Sequence, residues 1–176
     1  MIFRETALDG VWLIEPEPLA DERGFFARTW CGREWQARGL NPALAQCSTS
    51  WTRARGTVRG MHYQGRPHEE AKLVRCTRGA VHDVALDLRP DSPTFRRWVA
   101  ADLSAENRRM LYVPEGVAHG FQTLADDTEV FYQISEFHHP ESARGVRWDD
   151  PACGIRWPLA PVTVSPRDEA WPPLGA

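Results

Sequence analysis

The chain has 176 residues, of which 42% are hydrophobic, and a formal net charge of -3. This size suits one globular domain, so we expect residues 1–176 to form a single domain. The weak negative charge argues against nucleic acid or an anionic membrane surface as a partner, and no apolar run approaches the ~20 residues that span a bilayer. The first residues lack the charged-then-apolar pattern of a signal peptide, so we expect a cytoplasmic protein.

The pattern along the chain predicts an all-β fold with short peripheral helices. Residues 11–14 read as a first strand, residues 21–26 as a polar turn that runs into aromatics, and residues 34–38 as a short helix before Gly39. Further strands are predicted at 43–51, 57–64, 71–77, 80–88, 97–103, 110–113, 117–124 and 128–135. Many short strands at close spacing indicate an antiparallel sandwich or barrel.

After residue 135 the sequence changes character and predicts ordered loops and a proline-rich tail. One helical turn is predicted near 166–169. The tail contains several aromatic side chains, which would expose apolar surface to water if the tail stayed free. We therefore expect it to pack back onto the sheets.

The stretch 58–64 carries the first candidate for chemistry. In a regular strand, Val58, Gly60, His62 and Gln64 would point one way and Arg59, Met61 and Tyr63 the other. A histidine beside a strand glycine suits a close approach by a ligand, although a lone histidine is also typical of a half-buried, hydrogen-bonded core position. We nevertheless consider His62 a candidate general base, because other residues suited to catalysis follow it in the chain: Lys72, His119, Tyr132 and Asp168.

The sequence argues against a bound metal. The cysteines Cys31, Cys47, Cys76 and Cys153 show no zinc-binding spacing, and we expect them to stay reduced. Residues 114–119 match the second half of a cupin signature, Pro-x-Gly-x-x-His. The first half requires a second histidine where this chain has Gln64, and two histidines without a third good ligand make a poor transition-metal site. We therefore predict neither a metal nor another cofactor.

Several ordered blocks resemble the dTDP-4-dehydrorhamnose 3,5-epimerase family, whose members are metal-free relatives of the cupins. The resemblance covers nearly the whole chain and rests on residues 21–26, 59–64, 72–75, 91–95, 103–107, 114–121 and 147–150. It implies a cupin-type jelly roll, no cofactor, and a homodimer with shared active sites. The implied substrate is a nucleotide-diphosphate 4-keto-6-deoxy sugar, inverted at C3, C5 or both.

The resemblance also implies roles for five residues. His62 is the base and Asp168 orients its ring, while Lys72 stabilises an enolate oxygen and His119 helps to hold that region. Tyr132 is the acid that returns the proton. Taken alone, Lys72 is more typical of a surface lysine, Tyr132 of a packed core tyrosine, and Asp168 of a solvated charge or a helix cap.

Further positions match substrate-binding residues of the family. Arg59 occupies the position of a diphosphate-binding arginine, which suits its bidentate geometry, and Gln46 matches a base-contacting glutamine. Arg23 and Phe26 match residues that reach into the active site of the neighbouring subunit.

Three positions near the implied nucleobase pocket depart from the family pattern: Arg28, Ser48 and His138. An arginine only donates hydrogen bonds, whereas the glutamate found at position 28 in many members accepts the N3–H of thymine. A CDP-linked sugar is therefore an alternative substrate. Inversion of a single carbon, or the reaction of a related ketoisomerase, is an alternative activity. A non-catalytic sugar-nucleotide binding protein and an iron-dependent cupin oxygenase are the competing classes.

Overall fold

The computed structural model describes residues 1–174, and these form an almost entirely β structure. The strands are β1 Ile2–Glu5, β2 Trp12–Glu15, β3 Leu19–Asp21, β4 Gly24–Phe26, β5 Gln46–Thr52, β6 Thr57–Gln64, β7 Lys72–Arg78, β8 Ala80–Asp87, β9 Trp98–Ser104, β10 Met110–Val113, β11 Val117–Thr123, β12 Thr128–Ile134, β13 Ala143–Gly145 and β14 Thr163–Val164. The helices are α1 Gly32–Gln36 and α2 Pro166–Glu169, with a 3₁₀ turn at Pro140–Ser142. No helix within residues 1–174 is long and apolar enough to cross a membrane.

Two antiparallel sheets face each other. Sheet I has the strand order β1-β2-β10-β7-β12-β5, and sheet II has the order β13-β6-β11-β8-β9, with β14 pairing parallel to β6. Strands β3 and β4 form a separate hairpin. This arrangement confirms the predicted all-β jelly-roll sandwich.

The core lies between the sheets. Val74 and Leu111 of sheet I and Val81 and Phe121 of sheet II belong to one buried cluster. Two smaller clusters cover the outer sides. Trp35 of α1 packs under sheet I, while Ile155 and Trp157 of the C-terminal tail pack onto sheet II, as expected for the tail. All four cysteines are free thiols.

The strands predicted from β5 to β12 are confirmed, with bounds that differ by up to three residues. The short helix begins and ends two residues earlier than predicted, at Gly32 and Gln36. The prediction missed strand β1 and read the β3–β4 hairpin as a turn. It also missed β13 and β14, which lie within the predicted loops and tail.

The predicted side-chain phase of strand β6 is wrong. His119 pairs with His62 and Phe121 pairs with Arg59, so three steps along β6 oppose two along β11. This β-bulge carries one extra residue and reverses the alternation within the strand. Arg59 and His62 therefore line the same cavity instead of pointing to opposite faces. Gly60 fits here because an added Cβ would lie 2.6 Å from Cα of Gly120.

Candidate active site

A cavity of about 490 Å³ opens between the two sheets. Sheet I contributes residues from β5, β7 and β12, sheet II contributes residues from β6, β11 and β13, and the C-terminal segment closes one side. Nine of the twelve site residues predicted from the sequence line this cavity: Gln46, Ser48, Arg59, His62, Lys72, His119, Tyr132, His138 and Asp168. The fold thus brings together residues spread over more than a hundred positions of the chain.

His62 and Asp168 form a hydrogen-bonded pair at the cavity wall. Nε2 of His62 lies 2.5 Å from Oδ1 of Asp168, and Oδ2 of Asp168 accepts a hydrogen bond from the backbone N–H of Gly60 at 3.3 Å. Asp168 is only 3% exposed. Burial alone would raise the pKa of Asp168, but its hydrogen bonds, the strongest from His62, hold that pKa below its ordinary value. Asp168 therefore stays ionised against the imidazole.

Local sequence explains why Asp168 points into the site. Ser165 caps the N-terminus of α2, and its side chain accepts a hydrogen bond from the backbone N–H of Asp168 at 3.1 Å. Pro166 follows at the first helical position, where its fixed φ angle suits the turn. The helix is only four residues long, so its position depends on contacts outside it.

Sheet I places Tyr132 and Lys72 on the other side of the cavity. The hydroxyl of Tyr132 lies 3.2 Å from Oγ of Ser50. Burial raises the pKa of Tyr132 above its ordinary value, so the hydroxyl stays protonated at neutral pH. Nζ of the buried Lys72 lies 2.9 Å from Oε1 of Glu70. A neutral donor and a cation thus face the His62 side of the cavity.

His119 lies beside His62 on the adjacent strand, as its register partner. Its Nε2 atom is 2.8 Å from Oδ1 of Asp83, and both residues are buried. The ring of Tyr132 meets the His119 ring edge-on, with centroids 6.0 Å apart. The sequence reasoning missed Asp83, although a carboxylate directly before the apolar run 84–86 of strand β8 was an available signal.

Three arginines line the cavity. Nε of Arg59 donates to Oγ1 of Thr52 at 2.9 Å, which fixes the guanidinium at the rim. Arg144 and Arg167 also line the cavity, and the sequence reasoning identified neither. Oε1 of Gln46 accepts the backbone N–H of His138 at 2.6 Å, which ties the loop after β12 to β5. The guanidinium groups suit an anionic ligand, and Gln46 and His138 add polar groups to the cavity lining.

Gln64 occupies the position of a cupin metal ligand, and both ends of its side-chain amide form hydrogen bonds with the backbone. Its NH₂ group donates to the carbonyls of His68 at 2.8 Å and Phe137 at 3.1 Å, and its oxygen accepts the N–H of His139 at 2.7 Å. Gln64 is 2% exposed. The side chain therefore serves as a loop anchor and has no free oxygen directed toward the cavity.

Among residues 1–174 one group of three potential metal ligands comes together: His68, His139 and Glu141. The two imidazole rings are stacked 3.5 Å apart and lie 4° from parallel. Ring-nitrogen lone pairs lie in the ring planes, so two stacked rings direct them along parallel planes and not toward one ion. As arranged, this group does not form the tetrahedral set typical of zinc.

Comparison with known proteins places this geometry in a family. A sequence model described as dTDP-4-dehydrorhamnose 3,5-epimerase matches residues 5–176. The chain is also 45% identical over 175 residues to the dTDP-4-dehydrorhamnose 3,5-epimerase of Methanothermobacter thermautotrophicus, covering 98% of this chain and 94% of that protein. This chain belongs to the dTDP-4-dehydrorhamnose 3,5-epimerase family.

Two further relatives of this epimerase family bear on the site. The crystal structure of the dTDP-4-dehydrorhamnose 3,5-epimerase from Bacillus anthracis, with TDP and PPi bound, matches with a TM-score of 0.94 at 38% identity, covering 98% of this chain and 99% of that one. A dTDP-4-dehydrorhamnose 3-epimerase from Streptomyces niveus is 40% identical over 170 residues, covering 96% of this chain and 82% of that protein.

Three predicted site residues lie outside the cavity of this epimerase-family chain: Arg23, Phe26 and Arg28. Arg23 lies in the β3–β4 hairpin, where its guanidinium pairs with the carboxylate of Asp21 at 2.5 Å. Phe26 is 69% exposed, and Nη1 of Arg28 lies 3.5 Å from Oε1 of Glu34. The fold of one chain therefore does not bring them to His62. These three residues can contribute to an active site only if that site belongs to a second subunit.

Proposed function

We propose that this protein inverts C3 and C5 of a dTDP-linked 4-keto-6-deoxyhexose of the dTDP-4-dehydro-6-deoxyglucose type, by removing and returning protons through an enolate. The observation that carries the proposal is the His62–Asp168 pair on one wall of a cavity whose other wall presents Tyr132 and Lys72. Family membership supports the same reaction.

The C4 carbonyl of such a sugar acidifies the C–H bonds at C3 and C5. His62 takes a proton from one of these carbons, and the electron pair of the broken C–H bond moves onto the carbonyl oxygen. Lys72 stabilises the resulting enolate, since it places a positive charge where the negative charge develops. The electron pair then returns to carbon and takes a proton from the hydroxyl of Tyr132 on the opposite face. His62 then releases its proton to water and the Tyr132 phenolate takes one from water, which restores both groups. Repetition at the second carbon completes a double inversion.

Asp168 supports this step through His62. Its carboxylate fixes the ring orientation and stabilises the imidazolium that forms when His62 takes the proton. Tyr132 supports the second half, because its raised pKa keeps the hydroxyl protonated until the carbanion needs it. His119, which is hydrogen-bonded to Asp83, lies beside His62 and against the ring of Tyr132, and so shapes the cavity.

The arginine-rich rim supports a diphosphate as the group that anchors the substrate. Arg59 is positioned there by Thr52, and the Bacillus anthracis structure carries TDP and PPi. We place the nucleobase beyond the arginines, near Gln46, Ser48 and His138. We further propose a homodimer in which Arg23 and Phe26, exposed in the single chain, complete the partner subunit's site.

A second candidate function is inversion at C3 alone. It is favoured by the similarity to the Streptomyces niveus 3-epimerase, which spans 96% of this chain. The two candidates share the first proton transfer and differ only in whether C5 also exchanges its proton.

The test is proton NMR of the purified protein with dTDP-4-dehydro-6-deoxyglucose in deuterium oxide. Loss of both the C3 and C5 proton signals, with formation of the doubly inverted sugar, is the expected result. Exchange at C3 alone would establish the single-carbon reaction. No exchange at either carbon of the dTDP-linked substrate would overturn the proposal, and exchange of the CDP-linked sugar alone would identify the alternative nucleotide.

A further inference from the structure

The C-terminal segment 163–174, here called the strap, carries Asp168 across sheet II. At one end, β14 pairs with the start of β6 through Thr163 and Val164. At the other end, the backbone N–H of Leu174 donates to the carboxylate of the buried Asp150. Between these two anchors lies α2, which has four residues and cannot hold its own position in water. The placement of Asp168 therefore needs a contact in the middle of the strap.

Trp171 provides that contact. A Cβ added to Gly145 would lie 2.3 to 2.5 Å from three atoms of the Trp171 indole, so the ring occupies the space that any side chain at position 145 would need. Gly145 is the register partner of His62. The indole centroid lies 6.4 Å from the His62 ring, at an interplanar angle of 65°. One ring thus contacts both the strap and the strand segment beside the proposed base.

We propose that Trp171 is a positioning residue that seats on Gly145 and keeps Asp168 against His62. This inference rests on the proposed function where the substrate exchange rate is measured, and it is independent of that function where the geometry of the His62–Asp168 pair is measured. The indole acts by shape, because its Nε1–H is buried without a hydrogen-bond partner among the described residues. Arg167 lies over the outer face of the same ring at 5.4 Å, so the seated indole also orients a cavity arginine.

Trp171→Ala tests the proposal. We expect the deuterium-exchange rate constant of bound substrate to fall about 10²-fold, the effect of a displacement of about 1 Å in a catalytic group. The affinity for dTDP, measured by calorimetry, should fall less than the rate, because the indole contacts Arg167 but neither Arg59 nor Gln46. Trp171→Phe should recover most of the rate, because a phenyl ring fills the seat and buries no unpaired N–H.

A spectroscopic signature tests the geometry without any substrate. A ring N–H held in a short bond to a carboxylate gives a strongly downfield proton resonance. Wild-type protein should show this resonance for His62, and Asp168→Asn should abolish it. Trp171→Ala should broaden or remove it, and Trp171→Phe should restore it.

Gly145→Ala provides an independent route to the same displacement. The added methyl group collides with the indole, so we expect the variant to lose rate as Trp171→Ala does. In the double variant there is no indole to displace, and Gly145→Ala should add little to the effect of Trp171→Ala. Full additivity of the two effects would overturn the proposal, since Gly145 would then act on His62 directly.

Trp157→Ala is the matched control, because it removes a half-buried indole of the same tail whose hydrogen bond goes to Trp148 and not to the His62–Asp168 pair. Nε1 of Trp157 donates to the carbonyl of Trp148 at 2.9 Å. We expect this control to lower the melting temperature and to leave the exchange rate and the His62 resonance unchanged. Equal losses in Trp157→Ala and Trp171→Ala, or a wild-type resonance in Trp171→Ala, would overturn the proposal. If wild-type protein exchanges no substrate proton, the proposed function fails, and the resonance still decides the role of Trp171.

Discussion

His62 and Tyr132 reach one cavity from two different sheets, His62 from β6 of sheet II and Tyr132 from β12 of sheet I. A single base that returns its own proton regenerates the starting configuration. Two groups on opposite walls allow a proton to leave from one face of the sugar and return to the other. The sandwich architecture therefore supplies the geometry that inversion needs.

Removing only the hydroxyl of Tyr132 should separate deprotonation from inversion. We expect Tyr132→Phe to keep the ring packing against His119 and still let His62 form the enolate. Proton NMR in deuterium oxide should show exchange with retention at C3 or C5 and strongly reduced inverted product. Ser50→Ala is a matched control, since it removes the hydrogen-bond partner of the hydroxyl and keeps the hydroxyl itself. Wild-type exchange and inversion in Tyr132→Phe would reduce Tyr132 to a packing residue.

Removing the imidazole of His62 should stop the reaction at its first step. General bases typically contribute about 10²–10⁴-fold, and the loss of a sole base exceeds that range. We expect His62→Ala to abolish exchange at both carbons and to retain dTDP binding through Arg59 and Gln46. Calorimetry with dTDP is the control for folding and binding. Exchange at a near wild-type rate in this variant would exclude His62 as the base.

Subunit complementation tests the proposed shared site. His62→Ala and Arg23→Ala should each be inactive as homodimers, because one lacks the base and the other lacks the contribution to its partner's site. Mixed dimers should regain part of the activity, since one of their two sites has both residues intact. Mass spectrometry must first verify subunit exchange. No recovery in verified mixed dimers would contradict a shared site.

Chelation tests the prediction that the reaction needs no metal. Gln64 uses its amide on three backbone groups, and His62 is bonded to Asp168. We expect full activity after exhaustive treatment with EDTA. Stoichiometric iron or zinc in the purified protein, with activity lost on its removal and restored on its return, would contradict the prediction.

Asp87 should make the stability of the fold depend on acid pH. Burial raises its pKa, but hydrogen bonds from Arg89, Ser92 and Thr94 outweigh burial and lower the pKa from 3.8 to about 2. The carboxylate of Asp87 thus binds a proton less readily in the folded protein than in the unfolded chain. Ionised Asp87 therefore adds to the free energy of unfolding above about pH 4, and this contribution is lost as the pH falls toward 2. At neutral pH it amounts to about 2 kcal/mol.

Urea unfolding of wild-type protein and Asp87→Asn over a pH series measures this effect. The difference in the free energy of unfolding should be largest near pH 7 and shrink below pH 4. Asp91→Asn is the control, since Asp91 is exposed in the turn that follows β8 and makes none of these hydrogen bonds. A difference that stays constant from pH 7 to pH 2 would contradict the assignment.

The sequence predicted the strands between residues 46 and 134 because their hydrophobic alternation and turn residues are local signals. It missed β14 because two residues carry no periodic pattern and pair only through contacts with β6. It misplaced Arg59 because a bulge depends on the pairing with β11, which the residues of β6 alone do not reveal.

Within the candidate site, resemblance and residue type led to His62, Lys72 and Tyr132. Nothing local marked Asp168, which lies 106 positions from His62 and meets it only when the strap crosses sheet II. Arg167 was missed for the same reason, because its place in the cavity depends on tertiary packing. The seat of Trp171 on Gly145 is likewise visible only in three dimensions.

The anchoring role of Gln64 has a consequence for any redesign toward metal chemistry. A histidine at position 64 would supply a ligand beside His62, but it would release the carbonyls of His68 and Phe137 and the N–H of His139 at the same time. Those groups hold the loop that carries His138 at the cavity rim. Position 64 therefore cannot both anchor this loop and bind a metal ion. A metal-binding variant would need other hydrogen bonds to hold the loop in place.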